Sequence, residues 1–364
     1  MKIIIVAGAR PNFIKIAPLI HAINKYGNHK ISYRLVHTGQ HYDKNLSDTF
    51  FEELNIPKPD INLEVGSGTQ AAQTADIMIK FEKELQNHPA DYVVVVGDVN
   101  STLACSVVAK KLNAKLIHIE AGIRSFDMTM PEEINRIVTD SLADYCFTTS
   151  EYANKNLIKY GVENERIFFV GNIMIDALQS NMHKFTKPEL WDEHHLQEQK
   201  YWVLTLHRPS NVDHEEELLH ILQMINSSCG SMPVIFPVHP RTENRLKRTD
   251  HKFNNIVFIS PLSYLRFMYL VKHSIGVITD SGGIQEETTV MNIPCLTLRK
   301  NTERPETVVI GSNELITDFE ILTTSMNNII GGRWKKSTIP ILWDGKTAER
   351  IVEIMLTKLN DLTT

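Results

Sequence analysis

The sequence predicts an α/β protein of two doubly wound domains, and three observations predict it. Short apolar, β-rich runs alternate with longer segments in which apolar residues recur at helical spacing. Several runs, Val93–Val96 among them, are apolar without interruption, which is typical of parallel strands covered by helices on both faces. The alternation is complete in the first half of the chain and starts again in the second. We therefore expect two Rossmann-like domains that face a central cleft.

The length of the chain also favours two domains. A chain of 364 residues exceeds the size at which one hydrophobic core usually stops growing. We expect an N-terminal domain at residues 1–170 and a C-terminal domain at residues 171–345. The segment KTAERIVEIMLTKLN has a strong helical pattern, so residues 346–364 are expected to form a final helix.

The composition indicates an ordinary globular protein, with 42% hydrophobic and 22% charged residues. A formal net charge of -5 gives no reason to expect a nucleic acid or an anionic membrane as a partner. No run of about 20 apolar residues occurs, and the apolar start is too short for a signal peptide. The four cysteines are scattered without CxxC spacing, and no HExxH motif occurs. We therefore expect a cytoplasmic protein without a metal site.

The first predicted strand leads into a loop and a helix that carry two cations. Arg10 lies in the loop after KIIIVAG, and Lys15 lies about one turn into the following helix. Ligands of doubly wound sheets bind at the carboxyl ends of strands, and a helix N-terminus favours anions. Arg10 and Lys15 therefore predict a diphosphate pocket, with solvated surface charges as the alternative.

Carboxylates follow two further strands and open a helix. Asp98 ends VVVVGD, and Glu120 ends KLIHIE. Glu132 and Glu133 follow Pro131 in the first turn of a helix. Carboxylates crowded at one rim raise one another's pKa, which can produce a general acid or base. The alternatives are helix caps for Asp98 and Glu120, and stabilisation of the helix dipole for one of the two glutamates.

The second half of the chain places two histidine-basic clusters at strand ends. His207 precedes Arg208 after YWVLT, and His239 precedes a proline and an arginine after MPVIF. A single histidine at such a position is often only a satisfied hydrogen-bonding residue. Two clusters at neighbouring strand ends favour a functional role.

The turn TDSGG gives the sharpest signal. A strand leads through it into a helix, where Ser281, Gly282 and Gly283 leave backbone N–H groups uncovered. Such a helix terminus can hold a phosphate, although a turn with two glycines is common. Glu287, one turn into the helix, would repel a phosphate, so we expect it to bind ribose hydroxyls. A phosphate and a ribose together indicate a nucleotide as the ligand. Arg304 follows the next strand, where the same nucleotide could reach it.

A dinucleotide fingerprint also occurs, but its position argues against that function. Residues 66–71 read GSGTQA and fit G-x-G-x-x-A. The preceding run, INLEV, is short and follows a loop with two prolines. The fingerprint normally opens the first βα turn of its domain, where this chain has GARPNF instead. We therefore expect no nicotinamide cofactor.

Taken together, these segments resemble the non-hydrolysing UDP-N-acetylglucosamine 2-epimerase family over nearly the whole chain and in the family's order. The segments that carry the resemblance are GARPNFIK at 8–15, TGQHYD at 38–43, GDVNST at 97–102, HIEAGIRS at 118–125, PEEINR at 131–136, GNIMIDAL at 171–178, LHRPSN at 206–211, TDSGGIQEE at 279–287, TERPE at 302–306 and DGKTAERI at 344–351. Each motif alone is weak, and the ordered set is specific.

The resemblance implies two halves of the glycosyltransferase-B type, a final helix that packs back on the first domain, and a homodimer. It also implies a UDP-N-acetylhexosamine as the substrate. The positions that match the family's catalytic residues are Asp98, Glu120, Glu132 and His207. The positions assigned to contacts with the UDP-sugar are Arg10, Lys15, Arg136, His239, Phe267, Ser281, Gly282, Gly283, Glu287 and Arg304.

The chemistry of the reaction can be argued independently of the resemblance. Carbon 2 of an N-acetylhexosamine is not α to a carbonyl, so its proton is not directly acidic. Departure of UDP makes carbon 1 electron-deficient, and loss of the carbon 2 proton then gives 2-acetamidoglucal. Protonation from the opposite face and re-addition of UDP give the epimer. This route needs stabilisation of the diphosphate and acid and base groups on both ring faces. We expect it to interconvert UDP-GlcNAc and UDP-ManNAc for surface polysaccharide synthesis.

The sequence departs from the usual family pattern at several positions. Ala9, Asn12 and Phe13 replace a threonine, a glutamate and an alanine, and Pro209 stands where a second arginine is common. Relatives with similar openings include enzymes for UDP-N-acetylated uronic acids or deoxysugars, which form the alternative substrate class. A hydrolysing 2-epimerase, a glycosyltransferase of the same fold and a silent nucleotide-sugar binding module are further alternatives.

The segments that bind an activator in many bacterial members also differ. Those members bind a second UDP-N-acetylglucosamine through Gln-His-x-Gln and an arginine before Gln-Thr. Here the corresponding residues are 40–43, which read QHYD, and 72–74, which read AQT. We therefore expect an enzyme without this activator dependence.

Overall fold

Each half of the chain folds around its own parallel sheet. The structure is a computed structural model that describes residues 1–39, 51, 54–212, 214–238, 246 and 253–359. The chain divides into unit 1, which comprises Met1–Ala177 and Ile341–Thr364, and unit 2, which comprises Leu178–Pro340. The expected boundaries, after residues 170 and 345, differ from these. The first break falls inside a continuous helix, Ile173–Asn181, which gives no change of composition at the boundary.

Unit 1 contains a seven-stranded sheet in which all neighbouring strands are parallel, in the order β3-β2-β1-β4-β5-β6-β7. The strands are β1 (Lys2–Ala7), β2 (Ser32–His37), β3 (Ile61–Asn62), β4 (Tyr92–Val96), β5 (Lys115–Ala121), β6 (Tyr145–Thr148) and β7 (Ile167–Phe169). Strand β4 is buried over its whole length, which agrees with its uninterrupted apolar sequence.

Helices cover both faces of this sheet, since alternate residues of the same strands enter two separate hydrophobic clusters. The helices of unit 1 are α1 (Arg10–Tyr26), α2 (Gln70–Asn87), α3 (Asn100–Lys111), α4 (Pro131–Leu142) and α5 (Glu151–Lys159), and α6 (Ile173–Asn181) continues into unit 2. Ile5 belongs to the cluster under α1, whereas Ile4 belongs to the opposite cluster. This two-sided burial confirms the doubly wound arrangement.

The end of the chain packs on unit 1. Among its described residues, unit 2 contains the helices α7 (Leu190–Glu193), α8 (Pro209–Val212), α9 (Glu215–Ser228), α10 (Tyr264–His273), α11 (Gly282–Met291), α12 (Pro305–Val309) and α13 (Phe319–Ile330). The final helix, α14 (Thr347–Ile354), buries Ile351 and Val352 in the cluster that also contains residues of α1. The carboxylate of Asp176 accepts hydrogen bonds from the backbone N–H groups of Thr347 and Ala348, at 3.1 and 2.7 Å, and thereby caps α14.

Unit 2 contains a six-stranded parallel sheet in the order β10-β9-β8-β11-β12-β13. The strands are β8 (Trp202–Thr205), β9 (Val234–Pro237), β10 (Ile256–Ile259), β11 (Gly276–Thr279), β12 (Cys295–Thr297) and β13 (Asn313–Leu315). Both sheets start in the middle and wind outward in two directions. The strand order therefore reverses between β1 and β4 and again between β8 and β11, and ligands of such sheets bind at this point.

The dinucleotide fingerprint lies away from the point of reversal. It follows β3, at the edge of its sheet, and Thr69 of the fingerprint caps α2 by accepting a hydrogen bond from Ala72 N–H at 3.2 Å. In the part of the chain that the structure describes, no helix combines the length and the apolar character that a membrane span requires.

Candidate functional site

Lys15 of α1 and Glu120 of β5 form an ion pair. Nζ of Lys15 lies 2.5 Å from Oε2 of Glu120, and the two side chains are 12% and 3% exposed. Oε1 of Glu120 is buried and has no hydrogen-bond partner among the described residues. Because buried polar atoms are nearly always hydrogen-bonded, this oxygen is a candidate for contact with a reacting group.

The backbone at Glu120 is strained. Its φ is +70°, and the register of β5 against β6 shifts between Ile119 and Ala121, so the strand is irregular at this residue. A non-glycine residue in the left-handed region costs about 1–2 kcal/mol, and such strain concentrates at functional sites. Gly97, after β4, also has a positive φ of +71°. A Cβ added to Gly97 would lie 3.3 Å from Nζ of Lys15 and 3.5 Å from Oε2 of Glu120, so only glycine leaves this side of the pair uncovered.

Asn12 fixes the loop after β1. Its Oδ1 accepts hydrogen bonds from the backbone N–H groups of Gly8 and Ala9, at 3.2 and 2.9 Å. Its Nδ2 donates to the carbonyl of Val96 at 3.0 Å, which ties the loop to the end of β4. In the sequence, Asn12 stands out only as a departure from the family pattern, and no role is expected for it. Helix α1 begins at Arg10, whose side chain lies outside the described part of the structure.

Arg136 of α4 bridges two acidic residues. Its Nη2 donates to Oδ2 of Asp98 at 2.5 Å, and its Nη1 donates to Oε2 of Glu133 at 3.0 Å. Glu133 also accepts hydrogen bonds from the backbone N–H and the hydroxyl of Ser125, at 2.8 and 2.9 Å, so it holds the loop before α4. Glu132, its neighbour, is half-buried in the first turn of the helix. The structure therefore assigns Glu133 to a structural role and leaves Glu132 as the candidate.

The sequence predicts carboxylates crowded at one rim of this sheet, whereas the structure pairs three of them with cations. Asp98 and Glu133 share the guanidinium of Arg136, and Glu120 has the ammonium of Lys15. Burying a carboxylate without a partner is costly, so each of these buried or half-buried groups has acquired a cation.

A buried network behind Gly97 escaped sequence reasoning. Nδ1 of His118 lies 2.6 Å from Oδ1 of Asp140, and Nε2 of His118 lies 2.9 Å from the carbonyl oxygen of Gly97. Nη1 of Arg124 lies 2.6 Å from Oδ2 of Asp140. Burial alone would raise the pKa of Asp140, but its interactions with His118 and Arg124 hold the pKa below its ordinary value. The available signal was a histidine in the middle of the apolar strand KLIHIE.

In unit 2, Asp280 organises the loop that carries His207. Oδ2 of Asp280 accepts hydrogen bonds from the backbone N–H groups of His207 and Arg208 and from Nδ2 of Asn211, at 3.1, 2.9 and 3.0 Å. Oδ1 lies 3.2 Å from Nδ1 of the His207 ring. Asp280 is 1% exposed, whereas the His207 side chain is 60% exposed. In the sequence, Asp280 stands out only as part of TDSGG, and no function is expected for it.

The N-terminus of α11 lies against Arg304. A Cβ added to Gly282 would lie 2.6 Å from Nη1 of Arg304, so this glycine allows the guanidinium to approach the helix backbone. Ser281 precedes the helix, and its backbone N–H donates to Oγ1 of Thr279 at 3.0 Å. Gly282 and Gly283 form the first turn, where N–H groups have no acceptor within the helix. A guanidinium beside such a terminus is suited to bind a phosphate.

Arg304 is held by buried acidic residues. Its Nε lies 2.7 Å from Oε1 of Glu286, and its Nη1 lies 3.5 Å from Oε2 of Glu303. Glu303 also accepts two hydrogen bonds of 2.8 Å from Arg299. The contacts of Arg304 with Glu286 and Glu303 could not be predicted from the sequence, because a sequence does not distinguish buried acidic residues and arginines from exposed ones.

Glu287 pairs with a tyrosine. The hydroxyl of Tyr264 donates to Oε1 of Glu287 at 2.7 Å. Burial raises the pKa of Glu287 to about 7, the charge of Glu286 adds to this rise, and the hydrogen bond from Tyr264 opposes it. Phe267 lies half-buried on α10, the helix that also carries Tyr264.

Some expectations fall outside the described residues. His239 and residues 40–43 belong to this group, so the structure gives no position for them. Gln73, from the second activator segment, is buried, and its Oε1 accepts a hydrogen bond of 2.8 Å from Nδ2 of Asn100. Within the described ranges, no group of three or more histidine, cysteine, aspartate or glutamate residues is arranged to hold a metal ion.

Comparisons with known proteins agree with this architecture. The family model of UDP-N-acetylglucosamine 2-epimerase matches residues 24–356. The UDP-N-acetylglucosamine 2-epimerase of Methanocaldococcus jannaschii is 41% identical over 373 residues, which cover 98% of this chain and 99% of that protein. The UDP-2,3-diacetamido-2,3-dideoxy-D-glucuronate 2-epimerase of Pseudomonas aeruginosa is 37% identical over 359 residues, which cover 98% of this chain and 99% of that protein.

A solved structure matches the fold of this chain over almost its whole length. The crystal structure of Methanocaldococcus jannaschii UDP-GlcNAc 2-epimerase in complex with UDP-GlcNAc and UDP superposes with a TM-score of 0.86. The two chains are 41% identical, and the match covers 98% of this chain and 99% of that one. The resemblance inferred from ordered motifs is thereby confirmed, and so are the two Rossmann-like domains. Sequence and fold agree along almost the entire length, and the chain belongs to the UDP-N-acetylglucosamine 2-epimerase family.

Proposed function

We propose that this protein is a non-hydrolysing epimerase that inverts carbon 2 of a UDP-N-acetylhexosamine and converts UDP-GlcNAc to UDP-ManNAc. The observation that carries the proposal is the state of Glu120. Its backbone has a positive φ where the register of β5 shifts. Its carboxylate is paired with Lys15 through one oxygen and has a second buried oxygen without a partner among the described residues. A carboxylate held in this way can accept or deliver a proton at a fixed position.

The reaction that we propose has two balanced halves. In the first, the bond between carbon 1 and the diphosphate oxygen breaks, and UDP leaves with the electron pair. A base removes the carbon 2 proton, and 2-acetamidoglucal and UDP remain bound. In the second half, an acid adds a proton to the opposite face of carbon 2, and the diphosphate oxygen attacks carbon 1. No net oxidation or reduction occurs.

We assign the acid and base roles to Asp98, Glu120, Glu132 and His207. Arg136 would keep Asp98 in position, because it donates two hydrogen bonds to that carboxylate, at 2.5 and 3.1 Å. Lys15, which the sequence analysis assigned to the diphosphate, would also hold Glu120. The ion pair of 2.5 Å supports this second role.

We assign UDP to Arg10, His239 and residues of the turn after β11. Ser281, Gly282 and Gly283 would bind phosphate through the N-terminus of α11, with Arg304 as the charged partner. Glu287 and Phe267 would bind the nucleoside. The raised pKa of Glu287 supports contact with hydroxyl groups rather than with phosphate. A carboxyl group whose pKa is about 7 is partly protonated at neutral pH, and its protonated form can both donate and accept a hydrogen bond.

An epimerase for a UDP-N-acetylated uronic acid is the second candidate. The relative from Pseudomonas aeruginosa, which carries such a substrate in its name, is 37% identical over 98% of this chain. The proposal further includes a cytoplasmic homodimer that supplies surface polysaccharide precursors and does not need a second UDP-N-acetylglucosamine as activator. Sedimentation of the purified protein tests the dimer against the chain mass of 41.5 kDa, and hyperbolic rather than sigmoidal rates test the activator hypothesis.

Proton NMR in deuterated water tests the reaction. The purified protein is incubated with UDP-GlcNAc without added cofactor. We expect deuterium at carbon 2 in a mixture of gluco and manno UDP-sugars. Free N-acetylmannosamine with stoichiometric UDP would instead indicate a hydrolysing enzyme. Exchange with a uronate analogue and none with UDP-GlcNAc would favour the second candidate, and no exchange with either would contradict the proposal.

A further inference from the structure

Asp280 makes more contacts with the His207 segment than anchoring a loop requires. Its Oδ2 already accepts hydrogen bonds from His207 N–H, Arg208 N–H and Asn211 Nδ2. Its Oδ1, in addition, lies 3.2 Å from Nδ1 of the His207 ring. Oδ1 also accepts a hydrogen bond from His207 N–H, at 3.2 Å. Oδ2 therefore accepts most of the hydrogen bonds that hold the loop, and Oδ1 is the oxygen that lies beside the imidazole.

The 3.2 Å contact between Oδ1 and Nδ1 bears on which nitrogen of His207 carries the proton. An ionised carboxylate is an acceptor only, so the ring nitrogen that faces it must be a donor. In the neutral imidazole, an N–H at Nδ1 leaves the lone pair on Nε2. A histidine that acts as an acid or base needs one defined tautomer, and a buried carboxylate on its other nitrogen supplies it.

We propose that Asp280 is a positioning residue that fixes the Nδ1–H tautomer of His207 and thereby makes Nε2 the atom that exchanges a proton during epimerisation. The inference rests on the proposed function, because it assigns the active atom of a residue placed in that reaction. Asp280 itself is 1% exposed and acts through His207.

The variant Asp280→Asn separates the two tasks of the carboxylate. The amide oxygen can replace Oδ2 and still accept the three hydrogen bonds that Oδ2 accepts, whereas the hydrogen bond of 3.2 Å from His207 N–H to Oδ1 is lost. The amide NH2 group then replaces Oδ1, and it can only donate. Facing this donor, Nδ1 must become an acceptor, so the proton of the neutral ring moves to Nε2. We expect the three remaining hydrogen bonds to hold the loop while the tautomer is reversed.

The tautomer is measured directly by 15N NMR of protein labelled at histidine. The chain has 15 histidines, and the His207 signals are identified by their loss in His207→Asn. We expect Nδ1–H in the wild type and Nε2–H in Asp280→Asn at a pH where the ring is neutral. The same tautomer in both proteins would overturn the inference, whatever their activities.

Kinetics test whether the tautomer matters. We expect Asp280→Asn to lower kcat by about 10²- to 10⁴-fold, the usual contribution of a general acid or base, while KM changes by about 3-fold or less. The double variant with His207→Asn should be no slower than His207→Asn alone, because both changes remove one function. The proposal would be overturned if the losses of kcat in the two single variants multiplied in the double variant. It would also be overturned if Asp280→Asn reversed the tautomer and left kcat unchanged.

Asp176→Asn serves as the matched control. Asp176 is also a buried carboxylate that accepts two backbone N–H groups, but neither contact involves a histidine. We expect this variant to keep the His207 tautomer and kcat. If the wild type epimerises no UDP-N-acetylhexosamine, the proposed function fails, and the 15N spectra still decide whether Asp280 fixes the tautomer of His207.

Discussion

Nζ of Lys15 lies 2.5 Å from Oε2 of Glu120, although the two residues are 105 positions apart in the chain. The pair joins a helix and a strand of unit 1, and it is almost completely removed from solvent. Both its stability and its chemistry depend on this burial. Removal of the cation leaves a buried charge without compensation, and movement of either side chain displaces the carboxylate.

Lys15→Met is expected to destabilise the protein by about 3 kcal/mol, because Glu120 remains buried without its cation. Adding Glu120→Gln should restore most of this loss, since the uncompensated charge is then removed. Urea denaturation measures both effects. Lys80→Met is the control, because Lys80 and Asp76 form a pair of 2.9 Å whose side chains are 36% and 43% exposed. Exposed pairs contribute about 0–1 kcal/mol, so an equal loss in the two lysine variants would contradict the prediction.

Gly97→Ala is expected to impair catalysis beyond its effect on stability. At a φ of +71° the new side chain costs about 1–2 kcal/mol, and its Cβ would lie 3.3 Å from Nζ of Lys15. Gly161→Ala has the same backbone penalty at a φ of +84°, but no atom lies within 4 Å of the added Cβ. Thermal unfolding should show similar losses for the two variants. Rate measurements should show a lowered kcat for Gly97→Ala and an unchanged kcat for Gly161→Ala. Equal kcat values in the two variants would show that the open space beside Lys15 and Glu120 has no role in catalysis.

Gly282→Ala is expected to weaken the binding of UDP by about 10-fold or more, because losing one charge-assisted hydrogen bond costs about 1.5–3 kcal/mol. The added Cβ would lie 2.6 Å from Nη1 of Arg304 and push the guanidinium away from the helix terminus. Because Arg304 is also paired with buried Glu286, this movement should lower the free energy of unfolding as well, and the affinity is therefore measured at a temperature at which the variant is folded. Calorimetric titration with UDP measures the affinity. Gly66→Ala is the control, because a Cβ at Gly66 would meet nothing within 4 Å, and its affinity for UDP should equal that of the wild type. An unchanged affinity in Gly282→Ala as well would refute the assignment of UDP to this turn.

Glu287→Gln is expected to stabilise the protein above pH 7 and not below pH 4.5. Burial raises the pKa of Glu287 from 4.5 to about 7. Between these values the folded protein retains a proton that the unfolded chain has lost, so ionisation of Glu287 lowers stability as pH rises through this window. The amide cannot ionise, and the gain reaches at most about 3 kcal/mol above pH 7.

Melting temperatures of the wild type and of Glu287→Gln, measured at several pH values, test this dependence. Glu349→Gln is the control, because Glu349 accepts a comparable hydrogen bond of 2.6 Å from Tyr26 but lies at the surface. Its melting temperature should follow the wild type at every pH. A constant difference between Glu287→Gln and the wild type across the range would show that Glu287 titrates normally.

Much of the candidate site could be predicted because chemistry-bearing residues follow strands directly. The positions of Asp98, Glu120 and His207 depend on where an apolar run ends, and that information is local. The roles of Glu132 and Glu133 could not be separated in this way. Both stand in the first turn of α4, but only Glu133 accepts hydrogen bonds from Ser125. Which of two adjacent residues faces inward depends on how the helix packs.

The sequence by itself determined the two alternating βα arrays, the absence of a long apolar run, and the order of motifs that identifies the family. These features depend on local periodicity and on residues near one another in the chain. Only the tertiary structure decided which groups meet. Lys15 with Glu120, His118 with Asp140, and His207 with Asp280 are brought together by strand order and by helix packing. Strand order is not encoded in the period of any single strand, because it results from the burial of all of them together.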